Sequence, residues 1–484
     1  MKKILSLFLA LILLFSSCNI SDIENLDSSG SAITPPDTSV FGVAFARNES
    51  ADPYTTQNKL NAELMGLIAE PLFSVSSDFE AIPVLCTDYT YENRTYVLNI
   101  KSGVFFSDGS PLTPSDVAYS LRAAMESGSF YSTNLSIIDS ISSSDRDGTV
   151  TIRLKYDNAR FPRLLDIPII KRDTRGDMLP TGTGIYAPTN DLSSLTSRVR
   201  HHSGKLARYR AISLVDVAST DELLFEFDNH TVSVLTSDPT APSPLTPLSA
   251  SQITNISTTR MHYIGFNMRR EIFSDAATRV AIARIIDREN AANGDFALMG
   301  CAASLPVHPS SNAYSAEIAE NFAYDVNLQV PLSKPIEILV NSESSAKLAV
   351  CKRISDTLSR RGVTCTVRAL PFSEYATALA NGNFDLYYGE VALGADFDLT
   401  RLLSGPLNYG AWYNPALLSL HSAYLSGDEA REDFFYAFCQ NPPFVPILFK
   451  NTAMYSQNGF FESATPTAQN TYYDFSNWKV REMQ

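Results

Sequence analysis

The sequence predicts an α/β protein with more than one domain. A strand at residues 336–340, a helix at 344–361 and a strand at 363–369 follow one another, and the helix carries apolar residues on one face. Gly362 ends this helix, as glycine often does. The order is typical of a βαβ unit with two parallel strands. The chain has 484 residues, which is more than a single apolar core usually supports.

Further elements are predicted on both sides of this unit. A second helix at 373–381 leads into a strand at 386–393, so we expect an α/β lobe built around a largely parallel sheet. Nearer the N-terminus, the pattern predicts a strand at 40–45, a helix at 58–68 and an alternating strand at 96–101.

Start signals coincide before the helix predicted over residues 114–125. Thr113 is a good N-cap, Pro114 suits the first helical position, and Asp116 completes an acidic form of the capping box. Just upstream, the pair Asp108-Gly109 is typical of a tight turn.

The N-terminus has the pattern of a secretion signal with a lipid attachment site. Lys2 and Lys3 precede an apolar run at residues 4–15, which is shorter than the roughly 20 residues of a membrane-spanning helix. We expect Cys18 to become the lipidated N-terminus of the mature protein. The alternative is a plain cleaved signal in which this cysteine is incidental. Residues 19–38 are polar and should form a flexible tether.

Charge and cysteine content exclude several classes of protein. The formal charge is −14, so we expect neither nucleic acid nor anionic lipid as the ligand. Five cysteines follow Cys18, an odd number that does not indicate a disulfide framework. Cys351 lies on the sheet-facing side of its helix and Cys365 on the next strand, so a disulfide between them is one reading. Two separate buried thiols are the other.

Motifs of catalytic or cofactor chemistry are missing from the sequence. It has no nucleophile elbow, phosphate-binding loop or zinc-type spacing, so we expect a binding protein without a cofactor rather than an enzyme. His201 and His202 could hold a metal or an anion, but a solvated loop is the favoured reading because such a loop lacks fixed geometry. Residues 181–186, Thr-Gly-Thr-Gly-Ile-Tyr, either bring bare amides to an anion or form a tight turn.

Several segments, in this order, resemble the family 5 bacterial extracellular solute-binding proteins, which serve peptide and nickel importers. Glu70-Pro71-Leu72 is similar to an early turn of that family, and the block at 96–125, with Gly-Val-Phe-Phe-Ser-Asp-Gly inside it, looks like its most recognisable signature. The similarity continues through residues 182–186, 263–267, 279–288, 384–385, 395–398, 446–448 and Trp478.

The resemblance implies a two-lobed, periplasmic-binding-protein-like (type II) clamshell with an extra small α+β domain inserted in lobe one. Its template divides the chain into a signal peptide at 1–17, the lipidated cysteine and tether at 18–38, lobe one at 39–75, 158–258 and 450–484, the extra domain at 76–157, and lobe two at 259–449.

The resemblance also implies that a peptide ligand lies between the lobes and pairs with strand edges. Asp396 matches the acid that holds the peptide's α-amino group in that family; a helix cap or a turn aspartate is the alternative. The tryptophan usually found before this acid is missing, and no proline follows Asp398. The residues expected on this basis to contact the ligand are Glu70, Leu72, Gly389, Val391, Leu393 and Asp396.

The function implied is that of a monomeric, extracytoplasmic lipoprotein. It would be anchored to the outer face of the cell membrane, or lie in a periplasm where an outer membrane exists. There it would bind short peptides and deliver them to an ABC permease and its ATPase. The alternatives keep the fold but bind a chelated metal of the nickel type, an oligosaccharide or another polar solute, or use the ligand as a signal.

Overall fold

The structure is a computed structural model that describes residues 39–332 and 334–481. Cys18 and the predicted tether lie outside the described residues. Within the described part, no helix combines the length and apolarity needed to cross a bilayer.

Strands and helices alternate through the chain in a mixed α/β order. The strands are β1 (Gly42–Phe45), β2 (Phe73–Val75), β3 (Ala81–Pro83), β4 (Cys86–Glu92), β5 (Thr95–Ile100), β6 (Ile138–Ser144), β7 (Thr149–Leu154), β8 (Tyr186–Pro188), β9 (Ser194–Ser197), β10 (Ala211–Asp216), β11 (Val234–Ser237), β12 (Ser251–Phe266), β13 (Gly300–Ala302), β14 (Ile336–Asn341), β15 (Cys365–Leu370), β16 (Leu386–Ala392), β17 (Phe444–Gln457), β18 (Phe461–Ser463) and β19 (Lys479–Val480). The helices are α1 (Lys59–Ile68), α2 (Pro114–Met125), α3 (Phe130–Asn134), α4 (Thr220–Asp228), α5 (Ala276–Arg284), α6 (Arg288–Asn290), α7 (Ala316–Ala319), α8 (Ser345–Arg360), α9 (Phe372–Ala380), α10 (Thr400–Leu403), α11 (Pro415–Ser426) and α12 (Arg431–Gln440).

The N-terminal half contains two four-stranded sheets. One has the order β1-β10-β9-β8, with β1 parallel to β10, and the other has the order β4-β5-β7-β6. The predicted strands and helices of this half are present within one or two residues of their expected bounds. The tight turn is also confirmed: Gly109 has a φ of 86°, and the Phe106 amide donates to the Ser110 carbonyl at 2.8 Å.

The prediction of a largely parallel sheet in the C-terminal half is wrong. β14 runs parallel to β15 and β16, as the βαβ pattern predicts. The same sheet continues through β12, β17 and β11, which pair antiparallel, and β13 joins β17. The sheet is mixed because two long strands, β12 and β17, cross it side by side.

These two long strands also carry the chain between the predicted lobes. β12 pairs with β17 from Ser251 to Gly265, and the register shifts between Ser257 and Met261. The boundaries predicted at 258/259 and 449/450 therefore fall inside continuous strands. That division of the chain remains a prediction.

The disulfide reading of Cys351 and Cys365 is contradicted, because both are free thiols in the structure. They lie in the packed layer between α8 and the sheet, where Cys351 is fully buried and Cys365 is 7% exposed. Burial raises the pKa of Cys365 to about 11 and raises the pKa of Cys351 well above its usual value. A thiol that stays protonated is a poor nucleophile for disulfide formation.

Separate apolar clusters form the cores, and they do not follow the predicted domain limits strictly. The largest spans much of residues 261–449 and also takes in Val75 and Phe79. A second joins the sheet β4-β5-β7-β6 to residues 161–170. Val75, at the end of the first predicted lobe-one segment, and Phe79, at the start of the predicted extra domain, therefore pack into the core of the C-terminal half.

The capping box at the start of α2 is confirmed. The Thr113 hydroxyl oxygen accepts from the Asp116 amide at 3.3 Å, and Asp116 Oδ2 accepts from the Thr113 amide at 3.0 Å. Two of the amides that a helix start leaves unpaired are thereby satisfied.

Replacing Thr113 by alanine is expected to lower the free energy of unfolding by about 1 kcal/mol, because it removes the hydroxyl acceptor of the cap. Urea denaturation followed by circular dichroism measures this loss. Thr113→Ser is the matched control, since it keeps the hydroxyl and should stay close to wild type. Equal losses in the two variants would contradict the assignment.

Candidate functional site

Asp396 lies in a buried junction between two distant parts of the chain. Its side chain is 2% exposed, and Asn158 Nδ2 donates to its Oδ2 at 2.7 Å. The Tyr156 hydroxyl donates to Asp398 Oδ2 at 2.8 Å in the same place. We call these four residues the Asp396 junction. Tyr156 lies at the end of the predicted extra domain and Asn158 at the start of the second predicted lobe-one segment, and both contact the predicted second lobe.

The ionised form of Asp396 is disfavoured in this junction. Burial raises its pKa to about 6, helped by the neighbouring charge of Asp398 and opposed by the hydrogen bond from Asn158. The Asp398 amide donates to Asp396 Oδ1 at 3.3 Å, which fits the alternative reading of a turn aspartate. Within the described residues, no lysine or arginine forms an ion pair with Asp396. A buried carboxylate without a cationic partner favours a ligand that brings one.

Arg160 strengthens the contact beside the junction. Its guanidinium lies 3.8 Å from the centre of the Tyr424 ring, donates to the Tyr424 carbonyl and pairs with Asp428. The Ala159 amide donates to the Leu425 carbonyl at 2.7 Å. These contacts hold residues 158–160 against α11.

Strand β16 has an edge that no described strand covers along most of its length. One side pairs with β12 from Leu386 to Ala392. The other side pairs with β14 only at Leu386 and Tyr387. From Tyr388 onward no described strand pairs with this second side, although the Tyr388 carbonyl accepts from the Tyr375 hydroxyl at 2.7 Å.

The predicted ligand contacts on this strand, Gly389 and Val391, and Leu393 just after its end have different environments. Gly389 packs directly against the Tyr263 ring, because a Cβ at this position would lie 2.3 Å from Tyr263 Cζ. Val391 is 7% exposed and lines a small cavity beside Asp396. Leu393 has its amide and carbonyl engaged by Thr259.

The segment around Leu72 is largely occupied by contacts within the chain. The Glu70 carbonyl accepts from the Ile169 amide, and the Leu72 carbonyl accepts from the amides of Val84 and Cys86. The Leu72 side chain is fully buried. Leu72 therefore serves the core, and the lobe-one contact to a ligand remains a prediction.

The solvated loop favoured for His201 and His202 is wrong. Their side chains are only 4% and 6% exposed, and both approach the Glu70 carboxylate. His202 Nε2 lies 2.7 Å and His201 Nε2 lies 3.5 Å from Glu70 Oε2, while the Thr183 hydroxyl donates to the same oxygen at 2.9 Å. No local pattern connects Glu70 to the histidine pair, because His202 lies 132 positions from Glu70 along the chain.

Glu70 is stabilised as an anion in this cluster. Burial raises its pKa, but hydrogen bonds from His201 and His202 outweigh burial and lower the pKa to about 2. These three side chains offer one carboxylate oxygen and two ring nitrogens within 4.8 Å of one another, the donor types that bind divalent transition metals.

Both readings of the segment 181–186 are replaced by a packing role. Gly182 and Gly184 lack positive φ, so they are not turn glycines. A Cβ at Gly182 would lie 2.0 Å from the Ile68 carbonyl oxygen, and one at Gly184 would lie 2.6 Å from the Ile68 carbonyl carbon. Because glycine has no Cβ, this segment can pass close to the backbone at the end of α1. The same path places the Thr183 hydroxyl within hydrogen-bond distance of Glu70.

The predicted ligand residues line two different cavities. Glu70 lies in a cleft of about 280 Å³ with His201 and His202. Val391, Leu393 and Asp396 line a cavity of about 60 Å³ next to Tyr156 and Arg401. The described conformation therefore does not bring Glu70 and Asp396 into one pocket.

The comparison with known families matches the model for bacterial extracellular solute-binding proteins, family 5 Middle, over residues 80–405. Among curated proteins, Protein XP55 of Streptomyces lividans is 32% identical over 136 residues, which is 25% of each chain. The match thus spans about a quarter of the length of that curated relative.

Solved structures of the same fold match nearly the whole chain. The ABC transporter substrate-binding protein CtaP of Listeria monocytogenes is 17% identical with a TM-score of 0.70, covering 92% of this chain and 99% of that one. The oligopeptide-binding protein AppA of Bacillus subtilis, in complex with a nonapeptide, is 16% identical with a TM-score of 0.57, covering 91% and 99%. NikZ of Campylobacter jejuni, in complex with Ni(L-His), is 15% identical with a TM-score of 0.58, covering 92% and 100%.

The family match and the structural matches agree on the fold. They confirm the mixed α/β, two-lobed binding-protein architecture that the resemblance implies. The family model alone spans well over half of the sequence. This chain belongs to the bacterial extracellular solute-binding proteins, family 5.

Proposed function

We propose that the protein captures a short peptide between its two lobes and delivers it to an ABC permease and its ATPase. Family membership supports a carrier rather than an enzyme. The structural match to CtaP, an ABC transporter substrate-binding protein, supports the transporter, and the match to AppA in complex with a nonapeptide supports the peptide. On this account the chain acts as a monomer on the extracytoplasmic side, held at the membrane by a lipid on Cys18.

The observation that carries the peptide assignment is the edge of β16 that no described strand pairs with, followed by a buried carboxylate. A peptide laid along the uncovered side of Tyr388–Ala392 would satisfy its own amides by strand addition. The chain then turns to Asp396, which would meet the peptide's α-ammonium. The ammonium would take the place of the Asn158 amide at the carboxylate.

Entry of a peptide requires the Asp396 junction to open. The cavity beside Asp396 holds only a few water-sized groups. The bonds from Tyr156 and Asn158 cross from one part of the chain to the other, so separating the lobes breaks both. Ligand binding would then restore a bridge across the same place and favour the closed form.

The pH dependence of binding tests the role of Asp396. Because the folded pKa of Asp396, about 6, is above its usual 3.8, ionising this carboxylate costs stability as pH rises from about 4 to 6. An ammonium ligand binds the ionised form, so we expect a peptide to bind about tenfold more tightly at pH 7 than at pH 5. Calorimetric titration at both pH values measures the ratio.

Two controls isolate this effect. An N-acetylated copy of the same peptide lacks the ammonium and should bind weakly at both pH values. The Asp396→Asn variant should lose the pH dependence. A free-amino peptide that binds equally well at pH 5 and pH 7 would rule out the ammonium contact.

A chelated metal is the second candidate cargo, favoured by the Glu70, His201 and His202 cluster beside the larger cleft. The structural match to NikZ with Ni(L-His) is in keeping with this alternative. Titration with nickel plus histidine, alongside the peptides, separates the two cargoes.

A further inference from the structure

Three side chains on the wall of the 280 Å³ cleft have the composition and spacing of a metal site. The ligand atoms of Glu70, His201 and His202 all lie within 4.8 Å of one another. Ligand atoms bound to one ion at about 2.0–2.2 Å are roughly 3 Å apart. The two separations to the Glu70 oxygen, 2.7 Å from His202 Nε2 and 3.5 Å from His201 Nε2, bracket that value. Little movement would be needed to place an ion between them.

The surroundings of His201 support coordination through its Nε2. Its Nδ1 lies 2.8 Å from the Ser203 hydroxyl and accepts a hydrogen bond from the Ser203 amide at 3.4 Å. Coordination through Nε2 therefore requires the ring proton to move to Nδ1, where the Ser203 hydroxyl oxygen can accept the resulting N–H hydrogen bond. A hydrogen bond at the second ring nitrogen fixes the tautomer and orientation of a metal-binding histidine. His201 Nε2 also lies 3.0 Å from the Thr183 carbonyl, so that bond and a metal ion exclude each other.

His202 is held in the same place with one ring nitrogen unused. Its side chain is 94% buried, and among the described residues its Nδ1 has no hydrogen-bond partner. Burying a polar nitrogen without a partner is costly, which is unusual for a side chain with only a packing role. Its Nε2, 2.7 Å from Glu70, is the atom that faces the other two ligands.

The cleft leaves space beside the cluster. Its wall includes Ser203, Lys205, Asp474 and the apolar Ile185, and its volume is about 280 Å³. An ion held by three protein atoms on one wall therefore keeps coordination positions for groups from solution. Lys205 and Asp474, paired at 2.7 Å, stand at the same cleft.

We propose that Glu70, His201 and His202 bind one divalent late first-row transition-metal ion, such as Ni²⁺ or Zn²⁺, with its remaining coordination positions facing the cleft. Two imidazoles and one carboxylate suit these ions better than Mg²⁺ or Ca²⁺, which prefer oxygen ligands. All three residues belong to the segments predicted as lobe one, 39–75 and 158–258. The site therefore needs no closure of the lobes and does not rest on peptide binding.

The test is metal titration of the full-length protein, purified without a histidine tag and stripped with EDTA. Competition with a coloured chelator should give one Ni²⁺ or Zn²⁺ per chain. His202→Asn and Glu70→Gln should each weaken binding by at least about tenfold. His230→Asn is the matched control: His230 is exposed, and its φ of 65° suits asparagine.

A fold readout and a spectroscopic readout accompany the titration. Thermal melting in EDTA should be similar in wild type and His202→Asn, so that weaker binding is not a folding loss. With Co²⁺ as the probe, the wild-type absorption spectrum should change in His202→Asn but not in His230→Asn. A wild-type protein that binds neither ion, or a His201→Asn/His202→Asn double variant that binds like wild type, overturns the site. Either result leaves the peptide proposal standing, because peptide titration in EDTA tests it separately.

Discussion

Replacing Asp396 by alanine is expected to weaken binding of a free-amino peptide by about 3–5 kcal/mol, because the variant leaves a buried ammonium without its counter-charge. Asp396 is 2% exposed and has a raised pKa of about 6, so it sits where water cannot take over the carboxylate's role. Calorimetric titration of the wild-type and variant proteins with the same peptide measures the loss.

The variant is expected to remain folded. At neutral pH the folded protein bears the free-energy cost of an ionised carboxylate in a buried place, and the substitution removes that cost. Against this, the Asn158 amide loses its hydrogen-bond acceptor. Asp396→Asn, which keeps the shape, should lose nearly as much affinity as alanine. Glu429→Gln removes an exposed acid elsewhere and should bind like wild type. An Asp396→Asn variant within threefold of wild-type affinity would show that the carboxylate does not hold the ligand.

Replacing Gly182 by alanine is expected to lower the free energy of unfolding by about 3 kcal/mol. The added carbon would lie 2.0 Å from the Ile68 carbonyl oxygen and 2.8 Å from Ala69 Cα, and neither backbone atom can rotate away. The segment must therefore lift from the end of α1. Because Thr183 follows directly, its bond to Glu70 should weaken as well.

Gly176→Ala is the matched control for this substitution. A Cβ at Gly176 meets no atom within 4 Å, and the residue has no positive φ. The free energy of unfolding of Gly176→Ala, measured by urea denaturation, should be within about a few tenths of a kcal/mol of the wild-type value. Equal stability of the two variants would disprove the close approach of this segment to α1.

Local signals predicted most of the secondary structure. The Thr113 cap, the Asp108-Gly109 turn and the βαβ unit all depend on neighbouring residues, and the structure confirms each. Strands β12 and β17 were harder to predict. The second half of β12 is buried on both faces, so its sequence lacks the alternation that identifies a strand. Its partner lies almost 200 residues away along the chain.

The candidate site depends on tertiary contacts that no local pattern encodes. Asn158 reaches Asp396 from 238 positions away, and His202 reaches Glu70 from 132 positions away. The histidine pair was visible in the sequence, but its burial depends on the crossing of 182–184 over α1. The glycines of that segment are typical of a turn when only the sequence is considered. In the fold they allow the segment to pass close to the backbone of Ile68 at the end of α1.

The most direct test of the central claim is a thermal-shift titration of the full-length protein with mixed di- to hexapeptides, nickel with histidine, and small oligosaccharides. A ligand at about 100 times its Kd stabilises the folded state by about 2.7 kcal/mol, which is readily detected. The account predicts that free-amino peptides raise the Tm and that N-acetylated peptides do not. A shift with nickel-histidine or an oligosaccharide, with none from any peptide, would contradict peptide capture.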